Sequence, residues 1–362
     1  MGKNGTKWAV VGGGHAGQAI AGLLGLQGHD VKLYDVYPEL VSAINAKGGI
    51  QMQDDLNGFA PVTLASTEMK DVLTPDREFV AVVIPTAFYD SVAEKCAPYI
   101  KKDQIVLLFP ESTLGAYAFW KRAKGCGAED FIPVACNQLI YCCRAWAPGL
   151  VNVNGHKEYV GIAAIPAHKT EYVVEKMRPF FPQMRGLKNA LESSLTNFQA
   201  IVHPIPLVMN LSRVENKEEW NPYFDGVTKS IAAFMDKVDA ERLAIGRAYG
   251  FELDGMVTMY RDMYAFCSGE TIYDVLQTCS CYRKIQGWKE LDTRYLYEDL
   301  PYSLVPMIAL AKLAGVETPH MEAFRTISYM LVGEYLDEGR TFEALGFDRM
   351  TKEQFVREIV NG

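Results

Sequence analysis

No stretch of this chain stays apolar for the roughly 18–20 residues that a membrane-spanning helix needs. No basic run exceeds a few residues. Acidic side chains outnumber basic ones, 44 to 36, for a formal net charge of −8. Binding to nucleic acid by phosphate neutralisation needs clustered Lys and Arg, so that class is excluded. There is no C-x-x-C pair and no Cys/His spacing suited to zinc, so no metal site is expected. The eight cysteines are scattered, and the C-x-C of Cys279 and Cys281 reads as two packed thiols. Met1 to Lys7 is polar and leads straight into a strand-like run, without the apolar core of a secretory signal. The expected compartment is therefore the cytoplasm. Internal repeats and low-complexity tracts are also missing.

What is present is an ordinary globular composition, 49% hydrophobic and 11% aromatic over 362 residues, a length that suits two domains. The first half alternates short apolar runs with helical patterns. Trp8–Val11, Val31–Tyr34, Val62–Leu64, Phe79–Ile84, Ile105–Phe109, Phe131–Ala135 and Tyr159–Ile165 read as strands. Ala16–Leu26, Pro38–Lys47, Ala87–Tyr99, Leu114–Lys124 and Lys169–Phe180 read as helices. Strands alternating with helices imply βαβ units and a parallel sheet. Beyond about residue 190 the alternation vanishes. Ile231, Phe234, Met235, Val238 and Ile245 then share one helical face, and similar spacing recurs in Leu304–Ala314 and Phe324–Tyr335. The fold class is thus α/β, with a Rossmann dinucleotide-binding domain over residues 1–188 and an all-α domain over 189–362. The hinge is expected between Pro182 and Ser193.

Gly12-Gly13-Gly14-His15-Ala16-Gly17 fits G-x-G-x-x-G after a strand and at the opening of a helix, the context in which that pattern carries weight. Gly12 allows the tight turn, Gly14 lets backbone approach a pyrophosphate, and Gly17 allows close helix packing. His15 and Ala16 offer backbone N–H groups at the helix N-terminus. Asp35 ends the second strand 18 residues after Gly17, where a carboxylate can accept both ribose hydroxyls and repel a 2′-phosphate. That favours NAD over NADP. FAD shares the fingerprint, but a helical second half leaves little room for its second mononucleotide unit. The alternative for Asp35 is that it merely caps the following helix. Tyr37 is a weaker candidate for packing near the adenine.

In the helical half, His203-Pro204 opens a helix on which Asn210 lies two turns further. Arg294 through Asp299 concentrates charge ahead of an apolar helix. Spacing alone leaves two readings for that segment. It is a solvated cap, or it is a carboxylate orienting an imidazole with an arginine beside it.

Taken together, these pieces resemble the octopine/nopaline-type opine dehydrogenases. The resemblance rests on the glycine fingerprint, His203-Pro204 with Asn210, Arg294 through Glu298-Asp299-Leu300-Pro301, and Leu304-Val305-Pro306. It also takes in Leu310-Ala311-Lys312 to Gly315-Val316 and Thr318-Pro319. It implies a Rossmann domain followed by an all-helical domain, with the active site in the cleft between them. It implies a catalytic His203 with Asp299 as its partner, and substrate contacts from Arg294 and Asn210. Arg144 is a weaker substrate-binding candidate. The implied reaction joins the amine of an L-amino acid to a 2-keto acid, commonly pyruvate, and reduces the imine with NADH or NADPH. Two stretches depart from the family pattern, Pro110-Glu111-Ser112-Thr113 and Ala135 to Tyr141, where substrate and nicotinamide would meet. The competing readings are a hydroxy-acid dehydrogenase or ketoreductase on the same plan, and a non-catalytic NAD sensor. Partners are small molecules, and helical second domains of this kind leave room for a homodimer.

Overall fold

The computed structural model describes residues 5–336 and 339–362. The chain divides into two compact units. One is Met1–Glu111 with Gly115–Ala190, and the other is Ser112–Leu114 with Leu191–Gly362.

The first unit is built on an eight-stranded sheet. Its strands are β1 (Lys7–Val11), β2 (Asp30–Tyr34), β5 (Leu64–Ser66), β6 (Phe79–Val82), β7 (Ile105–Leu108), β8 (Ile132–Cys136), β11 (Val160–Ala164) and β12 (Met184–Gly186). They lie in the order β12-β11-β8-β7-β6-β1-β2-β5. From β5 to β8 all pairs are parallel, and β11 turns antiparallel against β8. β6, β7, β8 and β11 are buried along their whole length, which is why they read as unbroken apolar runs. From β1 the chain moves outward to β2 and β5, then returns to place β6 on the other flank of β1. The strand order reverses there, and in open α/β sheets ligands bind at the strand ends beside such a reversal.

A second sheet, in the order β4-β3-β10-β9, is absent from the sequence reading. Its strands are β3 (Gly49–Asp54), β4 (Gly58–Pro61), β9 (Tyr141–Ala147) and β10 (Leu150–His156). Alternation is visible in hindsight, with Ile50 and Met52 or Val151 and Val153 buried while Gln51, Leu150, Asn152 and Asn154 are more open. Gly and Asn interrupt the runs, and the two halves of the sheet lie about a hundred residues apart in sequence, so local pattern alone cannot pair them. Helix His15–Leu26 packs on this sheet as well as on the first, and every residue from Gly17 to Gly25 is buried. Its glycines permit the approach. A Cβ on Gly22 would stand 2.1 Å from the Met52 sulfur, and one on Gly25 would stand 2.6 Å from the Pro61 carbonyl.

The second unit contains no strand among its described residues. Its longest helix, Lys229–Ala248, starts at a Thr228 cap and buries Met235, Val238 and Ile245 as the periodicity implies. The same buried face also carries Asp239, Glu241 and Arg242. Each is satisfied. Arg242 donates to Asp239 (2.7 Å), to the Leu195 carbonyl (2.8 Å) and to the Asp254 carbonyl (2.7 Å). Glu241 accepts the N–H groups of His320 (2.8 Å) and Met321 (2.9 Å), the unpaired donors at the start of helix Pro319–Val332. Arg242 thereby fixes the segment around Leu195, from which the chain runs on to His203.

The two glycine contacts predict different outcomes. Gly25→Ala presses a methyl onto backbone and should destabilise the protein by about 1–3 kcal/mol. Gly22→Ala meets only a flexible thioether and should cost less. Urea unfolding of both variants checks the order, and equal midpoints would refute it.

Candidate active site

Two constellations carry the chemistry, one in each unit. In the first unit, β1 delivers Gly12 with φ +106, a conformation that glycine adopts freely. Its N–H donates to the Tyr34 carbonyl at 2.8 Å, and a Cβ there would stand 2.3 Å from the Val83 carbonyl. A Cβ on Gly17 would stand 1.8 Å from the Gly12 carbonyl, so this glycine is required by the loop beneath it as well as by helix packing. A Cβ on Gly14 would meet nothing within 4 Å. Open space therefore lies where a pyrophosphate would approach. Helix His15–Leu26 begins at Gly14 with no acidic side chain in its first turn, so its N–H groups and positive partial charge face an anion without competition.

Asp35 serves the loop as well as any ligand. Its Oδ2 accepts the Gly13 N–H at 2.6 Å and its Oδ1 accepts the Tyr37 N–H at 3.0 Å. An ionised carboxylate has about four acceptor positions, so two remain for ribose hydroxyls. Tyr37 and Val36 beside it stand exposed, 65% and 55%. These residues fit a dinucleotide. His15 takes a further part: its Nδ1 accepts the Ala145 N–H at 3.0 Å, which ties the glycine loop to β9. Ala16 is half-buried behind it. Arg144, also on β9, is half-buried and forms no ion pair among the described residues. Glu111, the departure from the family pattern, is wholly buried and accepts the Ala116 N–H at 3.1 Å. Its charge is absorbed by the start of helix Gly115–Gly125.

In the second unit, His203 sits between the short helices Gln199–Val202 and Pro204–Val208. Pro204 is tolerated because a first-turn N–H has no partner in the helix. His203 Nδ1 lies 2.8 Å from Asp299 Oδ2, across 96 residues of sequence. Asp299 is 2% exposed. Burial pushes its carboxyl up to about 8, while the positive charge of Arg294 pulls the other way. Arg294 opens the turn Arg294–Tyr297, keeps 38% of its side chain exposed, and lies 3.5 Å from the buried Glu298. Its guanidinium covers the Tyr295 ring at 4.9 Å. Tyr295 in turn packs edge-on against His203, centroids 4.5 Å apart, and against Trp288 at 5.0 Å. The structure thus joins His203, Asp299 and Arg294. Tyr295, Trp288 and Glu298 complete the cluster, and the sequence reading passed over them as functional groups. The one signal for them was their place beside Arg294 and Asp299.

Asn210 departs from the expectation. The helix ends at Val208, Met209 closes it, and Asn210 starts the next helix, Leu211–Glu215, so no continuous helix carries both His203 and Asn210. Both donors of its amide go to carbonyls, Pro206 at 2.8 Å and Gly226 at 2.9 Å. Only its own carbonyl oxygen is left to offer a ligand.

The chain resembles known proteins over most of its length. Residues 186–332 match the model of the NAD/NADP octopine/nopaline dehydrogenase alpha-helical domain, and residues 7–110 match the NAD-dependent glycerol-3-phosphate dehydrogenase N-terminus. The chain is 33% identical over 346 residues to an opine dehydrogenase of Arthrobacter sp. (strain 1C), covering 95% of this chain and 96% of the relative. Octopine dehydrogenase solved with NADH and L-arginine shares the fold, with a TM-score of 0.73, 17% identity and 91% and 90% coverage of the two chains. Yersinopine dehydrogenase solved with NADP+ does so at 0.69, 12%, 99% and 98%. With a Rossmann unit that fits a dinucleotide and a helical unit that pairs His203 with Asp299, this chain belongs to the opine dehydrogenase family of NAD(P)-dependent oxidoreductases.

Proposed function

We propose that this protein condenses the amine of an L-amino acid with a 2-keto acid, pyruvate above all, and reduces the resulting imine with NADH. The observation that carries the reading is the 2.8 Å contact between His203 and the buried Asp299 beside Arg294. Residues 1–188 would hold the dinucleotide through Gly12, Gly14, His15, Ala16, Gly17 and Asp35. Residues 189–362 would supply the proton chemistry and substrate contacts. When bound, the nicotinamide supplies the hydride that the imine carbon receives.

His203 acts as the acid–base. Asp299 holds Nδ1, which sets the tautomer and leaves Nε2 to exchange protons with the substrate. A proton from His203 lets the keto oxygen depart as water when the imine forms. In the reverse direction the imidazole takes a proton from the secondary amine. Arg294 has five N–H donors in a planar fork, more than one contact with Glu298 uses, and so can bind a substrate carboxylate by two parallel hydrogen bonds. Arg144 is the reserve candidate for the second carboxylate. The Asn210 carbonyl oxygen can accept from a substrate N–H. Tyr295 and Trp288 present ring surface that keeps water from the imine. Eight cysteines, none in a disulfide, support a reducing, cytoplasmic setting.

NADH oxidation should require pyruvate and an amino acid together. A rate with the keto acid alone would move the protein to the hydroxy-acid dehydrogenases. His203→Ala should lower kcat by about 10²–10⁴-fold with NADH affinity preserved, and a variant within a few-fold of the parent would remove His203 from the mechanism. The pH profile follows from the buried carboxyl. The pair holds its shared proton below about 8 and gives it up above. Reductive kcat, which needs that proton, should therefore fall as pH rises through about 8, while the oxidative direction gains. A reductive profile flat to pH 10 would contradict this.

A further inference from the structure

We infer that Arg340 is a positioning residue for the His203–Asp299 pair, acting through the hydrogen bonds that it supplies to the turn following Asp299. The inference rests on the proposed role of that pair. Asp299 leads into a π-helical turn, Leu300–Leu304, which runs into helix Val305–Ala314. The turn has the wide register: the Leu304 N–H donates to the Asp299 carbonyl at 3.1 Å, and the Val305 N–H donates to the Leu300 carbonyl. Pro306 then creates a deficit. In the α register the Tyr302 carbonyl would accept from residue 306, and in the π register the Pro301 carbonyl would do so. Proline has no N–H for either.

Arg340 serves both carbonyls. Its backbone N–H donates to the Pro301 carbonyl at 3.1 Å, and its Nη1 lies 3.3 Å from the Tyr302 carbonyl. The guanidinium lies over the Tyr302 ring at 5.4 Å, and the residue is 5% exposed. Gly339, with φ +67, makes the approach possible, because a Cβ there would stand 2.2 Å from the Pro301 carbonyl. Two buried carbonyls without these donors would be costly, and the turn would relax to recover partners. Asp299 stands at the head of that turn.

Arg340 also reaches a second segment. Its Nη1 donates to the Thr113 carbonyl at 2.6 Å. Thr113 lies between Ser112 and Leu114, with φ +58 and +61, a region that bulky L-residues rarely adopt. Such strain persists only where the surroundings impose it. Here Arg340 grips the Thr113 carbonyl, and Ser194 Oγ accepts the Leu114 N–H at 2.9 Å. One guanidinium therefore sets the strained Ser112–Leu114 segment and the Asp299 turn in fixed register. The charged groups flanking the His203–Asp299 pair are Arg294 and Glu298.

The test uses the full chain. Arg340→Met should lower kcat by about 10–100-fold, the scale of a small misplacement of a catalytic group, with the apparent KM for NADH unchanged. The His203 imidazole signals in NMR, assigned with His203→Ala, should titrate in Arg340→Met as they do in Asp299→Asn. That readout needs no turnover, so it stands even if the assigned reaction fails. Arg340→Met/Pro306→Ala restores an N–H at residue 306 and should recover part of both kcat and the His203 titration. If Arg340→Met does not fold, Arg340→Gln, whose shorter amide cannot replace the Nη1 donor to Thr113 and Tyr302, carries the same measurements. A folded variant with parental kcat and parental His203 titration would overturn the assignment. So would an Arg340→Met defect that the added Pro306→Ala leaves untouched.

Discussion

The helical unit depends on the partnership of a buried carboxyl. Asp299 is shut away from water, and an isolated charge there would be expensive. The His203 imidazole at 2.8 Å and the Arg294 charge make the position tenable. Breaking such a buried pair by removing one member costs about 3–5 kcal/mol in proteins generally. The same burial places the carboxyl at about 8, within the range in which a proton can be held or released. The stability of the pair and its proton affinity thus share one cause, the burial of the Asp299 carboxyl.

The surrounding fold serves to hold that contact still. Arg242 pins the Leu195 carbonyl on the approach to His203. Two prolines shape the short helix behind it. On the other side a π-helical turn, rather than a regular helix, carries Asp299. In the first of these a buried guanidinium serves a backbone carbonyl; in the other two the backbone departs from the regular helical register. The dinucleotide unit works by a different rule. There the glycines matter for what they leave out, since a Cβ at Gly12 or Gly17 would collide with backbone while one at Gly14 would occupy ligand space.

The legible part of the chain was the part with local causes. The central parallel strands are short apolar runs, β6, β7 and β8 being buried throughout, and the helix after the glycine loop has its signature within six residues. The residues Gly12 to Gly17 and Asp35 could be named for that reason. The four-stranded sheet was not legible, because Gly49–Asp54 and Leu150–His156 pair across a long separation and each is weak alone. Asn210 was misplaced because spacing assumes a continuous helix, whereas this one ends at Val208. Glu111, in a stretch that departs from the family pattern, is buried and accepts the Ala116 N–H at the start of the next helix.

Composition, hydrophobic period and the glycine spacing were enough for a Rossmann unit, a helical second half and a dinucleotide, since all of these follow from contacts within a few turns of chain. Nothing local could show that His203 and Asp299 lie 2.8 Å apart, that Tyr295 packs on the imidazole, or that Arg340 makes good the donor missing at Pro306. Those are contacts between residues tens of positions apart. Their geometry, and the shifted proton affinity that comes with it, exists only once the helices have packed and water has left the carboxyl.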